Sequence, residues 1–139
     1  MTSAPEAPRL GLGQALVFLY GFFAFAAGGR SVYQVVARFD EAPVAVSLSV
    51  TAAAVYLLAF TQLRRRDPRA WRLAVAACSF ELAGVLVVGS LSLALEDAFP
   101  RATVWSTYGI GYGFLPLVLP IVGLYWLLRP ETRSEFGAA

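Results

Sequence analysis

Residues 73–95 read LAVAACSFELAGVLVVGSLSLAL, a run of 23 residues with one charge, Glu81. About 20 apolar residues at 1.5 Å each are enough to cross the ~30 Å hydrocarbon core of a bilayer. Three further stretches have the same character: 12–39, 44–63 and 104–128. Together the four fill most of the 139 residues. They are too long and too continuously apolar for the alternating strands of a membrane β-barrel. The expected fold is therefore all-α: a polytopic membrane protein with four transmembrane helices. Short connections make neighbouring helices antiparallel, which gives an up-down bundle. Residues 1–139 form one membrane domain on this reading.

Composition agrees. Of the residues, 58% are apolar and 14% charged, against about 25% charged in soluble domains. All eleven basic residues are arginine, which reads as codon usage and not as a binding signal. There is no histidine and one cysteine, Cys78. An intramolecular disulfide, a Cys/His metal site and Ser-His-Asp or Cys-His catalysis are thereby excluded within one chain. Ala24-Phe25-Ala26 matches a small-x-small cleavage site, but the apolar run continues to Val36, so a retained helix is expected over a cleaved signal.

Arginine placement gives an orientation. Arg64, Arg65, Arg66, Arg69 and Arg72 crowd the second connection, and short arginine-rich loops stay cytoplasmic. With four spans both termini then lie inside, and eight arginines fall on that side against three (Arg30, Arg38, Arg101) on the other. The outer turns carry Asp40-Glu41 and Glu96-Asp97 instead. Trp71, Trp105 and Trp126 fall near the expected span ends and read as interfacial anchors, with Tyr33 and Phe39 at the outer end of the first span. The loop charge needs no nucleic acid to explain it.

Inside the spans, Glu81 lies eight positions past Leu73, about 12 Å deep. A carboxyl there must face other helices. Ala74, Ala77, Cys78, Gly84 and Val88 share its helical face, a stripe of the small residues that let membrane helices approach. Arg30, with Ser31 and Gln34 nearby, is the other deep charge. Arg30 could snorkel outward or reach down toward Glu81. The polar pair reads as a structural pin between the first and third spans, as a proton- or ion-linked site, or as a contact for a partner. In the last span Ser106, Gly109, Gly113, Pro116, Pro120 and Gly123 recur at alternating spacings of 3 and 4. On one helix this is a packing seam, bent near Tyr112–Pro116 by the lost backbone bonds of two prolines. Bulky Tyr112, Leu115 and Leu119 are expected to point away from it.

The runs Gly29-Arg30-Ser31-Val32-Tyr33-Gln34, Phe39-Asp40-Glu41-Ala42-Pro43, Glu81-Leu82-Ala83-Gly84-Val85-Leu86, Thr103-Val104-Trp105-Ser106 and Tyr108-Gly109-Ile110-Gly111-Tyr112-Gly113-Phe114, with Pro116 and Pro120, resemble a family of small four-helix integral membrane proteins of actinobacteria. The resemblance covers residues 28–128. It implies a multi-pass protein of a bacterial inner membrane and supplies no substrate, cofactor or catalytic residue. The expected function is that of a small non-enzymatic membrane protein, an accessory or assembly partner of a larger membrane complex. The alternative is an oligomeric transporter or channel subunit with Glu81 as its proton or ion site.

Overall fold

A computed structural model describes residues 11–37, 40, 43–95 and 105–138. Helix α1 spans Leu12–Ala37, α2 Pro43–Arg64, α3 Pro68–Ala94, α4 Leu115–Leu127 and α5 Pro130–Glu135, with a tight irregular turn over Ser106–Tyr112 before α4. No strand occurs among the described residues. Three helices are long and apolar enough to cross a membrane, and a fourth crossing exists if the Ser106–Tyr112 segment and α4 are taken as one broken span. Expectations placed on Arg9, Arg38, Phe39, Glu41, Glu96, Asp97, Arg101 and Val104 lie outside the described residues.

Helix boundaries follow local chemistry. α3 begins five residues before its apolar run because Asp67 caps it. The Asp67 carboxylate accepts from the Ala70 N–H at 2.7 Å, and Pro68 occupies the first turn, where its missing N–H costs nothing. Within α2 the exposed Thr51 and Thr61 hydroxyls donate back to the carbonyls of Ser47 (2.9 Å) and Leu58 (3.0 Å). Those bonds hide polar groups that lipid could not satisfy.

Each long helix packs on the next, α1 on α2, α2 on α3 and α3 on α4, and α1 also touches α4. The core stripe of α1 is Leu16, Tyr20, Phe23, Ala27, Ser31 and Gln34, at helical spacings of three and four. On α3 it is Ala70, Ala74, Ala77, Cys78, Glu81, Val85 and Val88. Outward faces carry Phe18, Phe22, Phe25, Leu57, Phe80 and Val87, all exposed, as a helix surface bathed in lipid would be.

The last expected span differs from a single helix. The Ser106–Tyr112 segment and α4 meet at 99°. Thr107, Tyr108 and Gly109 are left-handed (φ 50, 59 and 83°), as are Gly113 and Phe114 (φ 64 and 62°). The bend therefore comes from left-handed residues, not from lost helical bonds. Pro116 sits in the first turn of α4 and breaks nothing; only Pro120 is interior to that helix. α4 has 13 residues, about 20 Å of rise, short of a full crossing. Irregular backbone within a bilayer needs protein partners for its polar groups. Here the Thr107 N–H finds the Ser92 hydroxyl at 2.8 Å, and the Phe114 N–H reaches the Gly109 carbonyl at 3.0 Å.

The seam changes accordingly. Gly109, Pro116, Pro120 and Gly123 are buried, but Gly113 is exposed, and a Cβ added there would meet nothing within 4 Å. Gly109 lies against the Pro116 ring, and Gly123 faces Cys78 and Tyr20. Leu119 is 2% exposed, so it belongs to the core and not to the outer face. Trp105 is likewise no interfacial anchor. It is 2% exposed and lies over Gly84, where an added Cβ would come within 2.6 Å of its ring.

Candidate intramembrane polar site

Glu81 has no exposed surface. Its helix places it inward at three and four residues from Cys78, Ala77 and Val85, all buried. The Tyr20 hydroxyl of α1 donates to Glu81 Oε1 at 2.7 Å, and the same hydroxyl lies 3.5 Å from Cys78 Sγ. Glu81 Oε2 has no hydrogen-bond partner among the described residues. A carboxyl in an apolar interior is costly unless its oxygens are bonded, so the Tyr20 bond is the one contact that offsets the burial.

Aromatic rings wall the group. Tyr20 and Tyr56 stand with centroids 6.1 Å apart, and Phe23 packs on Tyr56 at 5.4 Å. Trp105 Nε1 donates to the Tyr56 hydroxyl at 3.2 Å. The small α4 residue Gly123 completes the enclosure: a Cβ there would approach Cys78 Sγ to 3.1 Å and the Tyr20 oxygen to 3.7 Å. Thus α1, α2, α3, α4 and Trp105, just before the irregular turn, each contribute to one buried polar core.

Arg30 does not join it. Tyr20 marks the level of Glu81 on α1, and Arg30 lies ten residues farther along, about 15 Å of rise. Its guanidinium instead donates to the Tyr112 hydroxyl at 3.3 Å. Arg30, Tyr112 and Ser49 line a small cavity with Phe23, Ala26 and Ala27. Ser31 and Gln34 are buried (6% and 5% exposed) near this level, and Ser31 Oγ, Gln34 Oε1 and Ser49 Oγ have no hydrogen-bond partner among the described residues. The structure therefore divides the expected polar set into two levels. Glu81 sits with Tyr20 and Cys78, while Arg30, Ser31 and Gln34 lie farther along α1.

Sequence reasoning missed Tyr20, Tyr56, Ser49 and Trp105. A signal existed for the tyrosines, since a phenol in mid-span needs a partner when buried. No signal existed for Trp105, whose inward turn depends on the left-handed residues that follow it. No group of three or more His, Cys, Asp or Glu side chains among the described residues could hold a metal ion. The chain matches no known protein family, no characterised protein and no solved structure.

Proposed function

We propose that this is a small, non-enzymatic integral membrane protein that serves as an accessory or assembly partner of a larger membrane complex. The observation that carries the reading is the enclosure of Glu81. Its carboxyl is fully buried, bonded to Tyr20 and walled by Tyr56, Cys78 and Trp105. Two large grooves along the helices, one between α1 and α2 and one between α2 and α3, are lined by other residues. A sealed acid tying α3 to α1 is a structural device. A conducting site needs a route for its ion. The partner-binding half of the proposal draws on α1, the least covered of the three long helices within the chain.

In this reading the protein sits in a bacterial inner membrane, as the resemblance to small actinobacterial membrane proteins implies. Both termini and the 64–72 loop are cytoplasmic, because eight arginines fall on that side against three. Cysteines at Ala7, Asp67 and Ala98 on a Cys78→Ser background, probed with an impermeant thiol reagent on intact cells, should label only at 98. Purification in mild detergent tests the functional proposal. A larger membrane protein should accompany the chain at a fixed ratio, and recovery of the chain alone would count against it. The rival, an oligomeric transporter or channel subunit, rests on the unpartnered Glu81 Oε2, an atom a second copy or an ion would have to reach.

A further inference from the structure

The end of the bundle where α2, α3 and α4 meet α5 carries a second organised feature. Trp71 Nε1 donates to the Leu127 carbonyl at 2.7 Å, tying the start of α3 to the end of α4. α5 folds back so that Phe136 is fully buried, its ring edge-on to Trp126 at 6.0 Å. Arg66 of the α2–α3 loop lies over both of those rings, 5.6 Å from Trp126 and 4.9 Å from Phe136. Arg133 of α5 lies over Trp71 at 5.1 Å. The short C-terminal helix thus adds its arginines to those of the loop on one platform.

Seven arginines (Arg64, Arg65, Arg66, Arg69, Arg72, Arg129 and Arg133) stand there against three carboxylates among the described residues, Asp67, Glu131 and Glu135. Asp67 pairs with Arg65 at 3.4 Å and Glu131 with Arg129 at 2.8 Å. Among the described residues no carboxylate lies within 4.0 Å of Arg64, Arg66, Arg69, Arg72 or Arg133, and all five are exposed. The ring contacts hold the guanidinium groups of Arg66 and Arg133 in place while both side chains stay exposed to an acceptor. A cluster of fixed guanidinium groups at the mouth of three apolar helices complements a layer of phosphodiesters. We propose that this end is a binding surface for the headgroups of anionic phospholipids, with Arg66 and Arg133 at its centre. The inference goes beyond the accessory role and holds whether or not a protein partner exists.

The test is thermal unfolding of the full chain in uncharged detergent, followed by tryptophan fluorescence during titration with dioleoyl phosphatidylglycerol. The same titration is run with dioleoyl phosphatidylcholine and with inorganic phosphate. The anionic lipid should raise the midpoint, and the other two should leave it unchanged. Arg66→Gln/Arg133→Gln should weaken the apparent lipid affinity. Because those two arginines also pack on rings, Arg69→Gln/Arg72→Gln is measured beside it, with no ring contact to lose. About fivefold is expected for each arginine removed, the factor equivalent to ~1 kcal/mol per surface arginine. Equal protection by both lipids would overturn the proposal, as would equal protection by free phosphate. Undiminished protection of the Arg69→Gln/Arg72→Gln variant would overturn it too.

Discussion

Replacing Tyr20 by Phe and Glu81 by Leu, singly and together, probes the buried polar core most searchingly. The two groups share a 2.7 Å hydrogen bond and neither has exposed surface. Tyr20→Phe removes the one donor to Glu81 among the described residues and leaves both carboxyl oxygens without it. Glu81→Leu keeps the bulk but strips the Tyr20 hydroxyl of its acceptor, leaving only the weak Cys78 sulfur at 3.5 Å. A buried polar group deprived of its partner costs about 1–3 kcal/mol, so each single variant should lose roughly 2 kcal/mol. The double variant places two apolar groups face to face. It should lose no more than either single, a coupling of about 2 kcal/mol. Glu81→Gln retains an acceptor for Tyr20 and should stay within about 1 kcal/mol of wild type. The assay is reversible unfolding in mixed micelles of mild and denaturing detergent. Additive losses in the double variant would refute the reasoning, and so would a Glu81→Gln variant as unstable as Glu81→Leu.

Gly123→Leu should destabilise the bundle by at least about 1–3 kcal/mol, because its first added carbon already stands 3.1 Å from Cys78 Sγ; unfolding in the same micelles reads it. Gly113→Ala should cost about 1 kcal/mol through its φ of 64° and not through packing. Gly113→Asn should be milder, since Asn tolerates that backbone, and equal loss in the two variants would argue for a contact the fold does not contain. Phe136→Ala empties a fully buried aromatic site, worth about 3–5 kcal/mol in a core. It should speed tryptic cleavage after Arg133 while leaving the unfolding of α1–α3 nearly unchanged.

The hydropathy of residues 12–39, 44–63 and 73–95 was enough to mark three helices, because a long apolar run has few other stable forms in lipid. The inward face of α3 was legible too, since small residues flank Glu81 at helical spacing. The fourth stretch misled for a physical reason. Ser106 to Gly123 carry a helical repeat, yet Thr107, Tyr108 and Phe114 adopt left-handed backbone, a state that residues other than glycine reveal weakly in sequence. Everything that depends on that turn, including the burial of Trp105 and the exposure of Gly113, was hidden with it. The Tyr20–Glu81 pairing was hidden because residues 61 apart in sequence meet only once the register of α1 on α3 is set. The Arg66–Trp126–Phe136 stack was hidden because the chain after Leu128 reads as a polar tail and gives no hint that it folds back.

Proton flux tests most directly the claim that Glu81 is a sealed structural acid and not part of a pathway. The purified chain is reconstituted into vesicles containing a pH-sensitive dye, and a potassium diffusion potential is imposed with valinomycin. Wild type and Glu81→Gln should acidify the lumen at the rate of protein-free vesicles. A faster rate in wild type that falls to the protein-free level in Glu81→Gln, with both variants equally folded, would contradict the account.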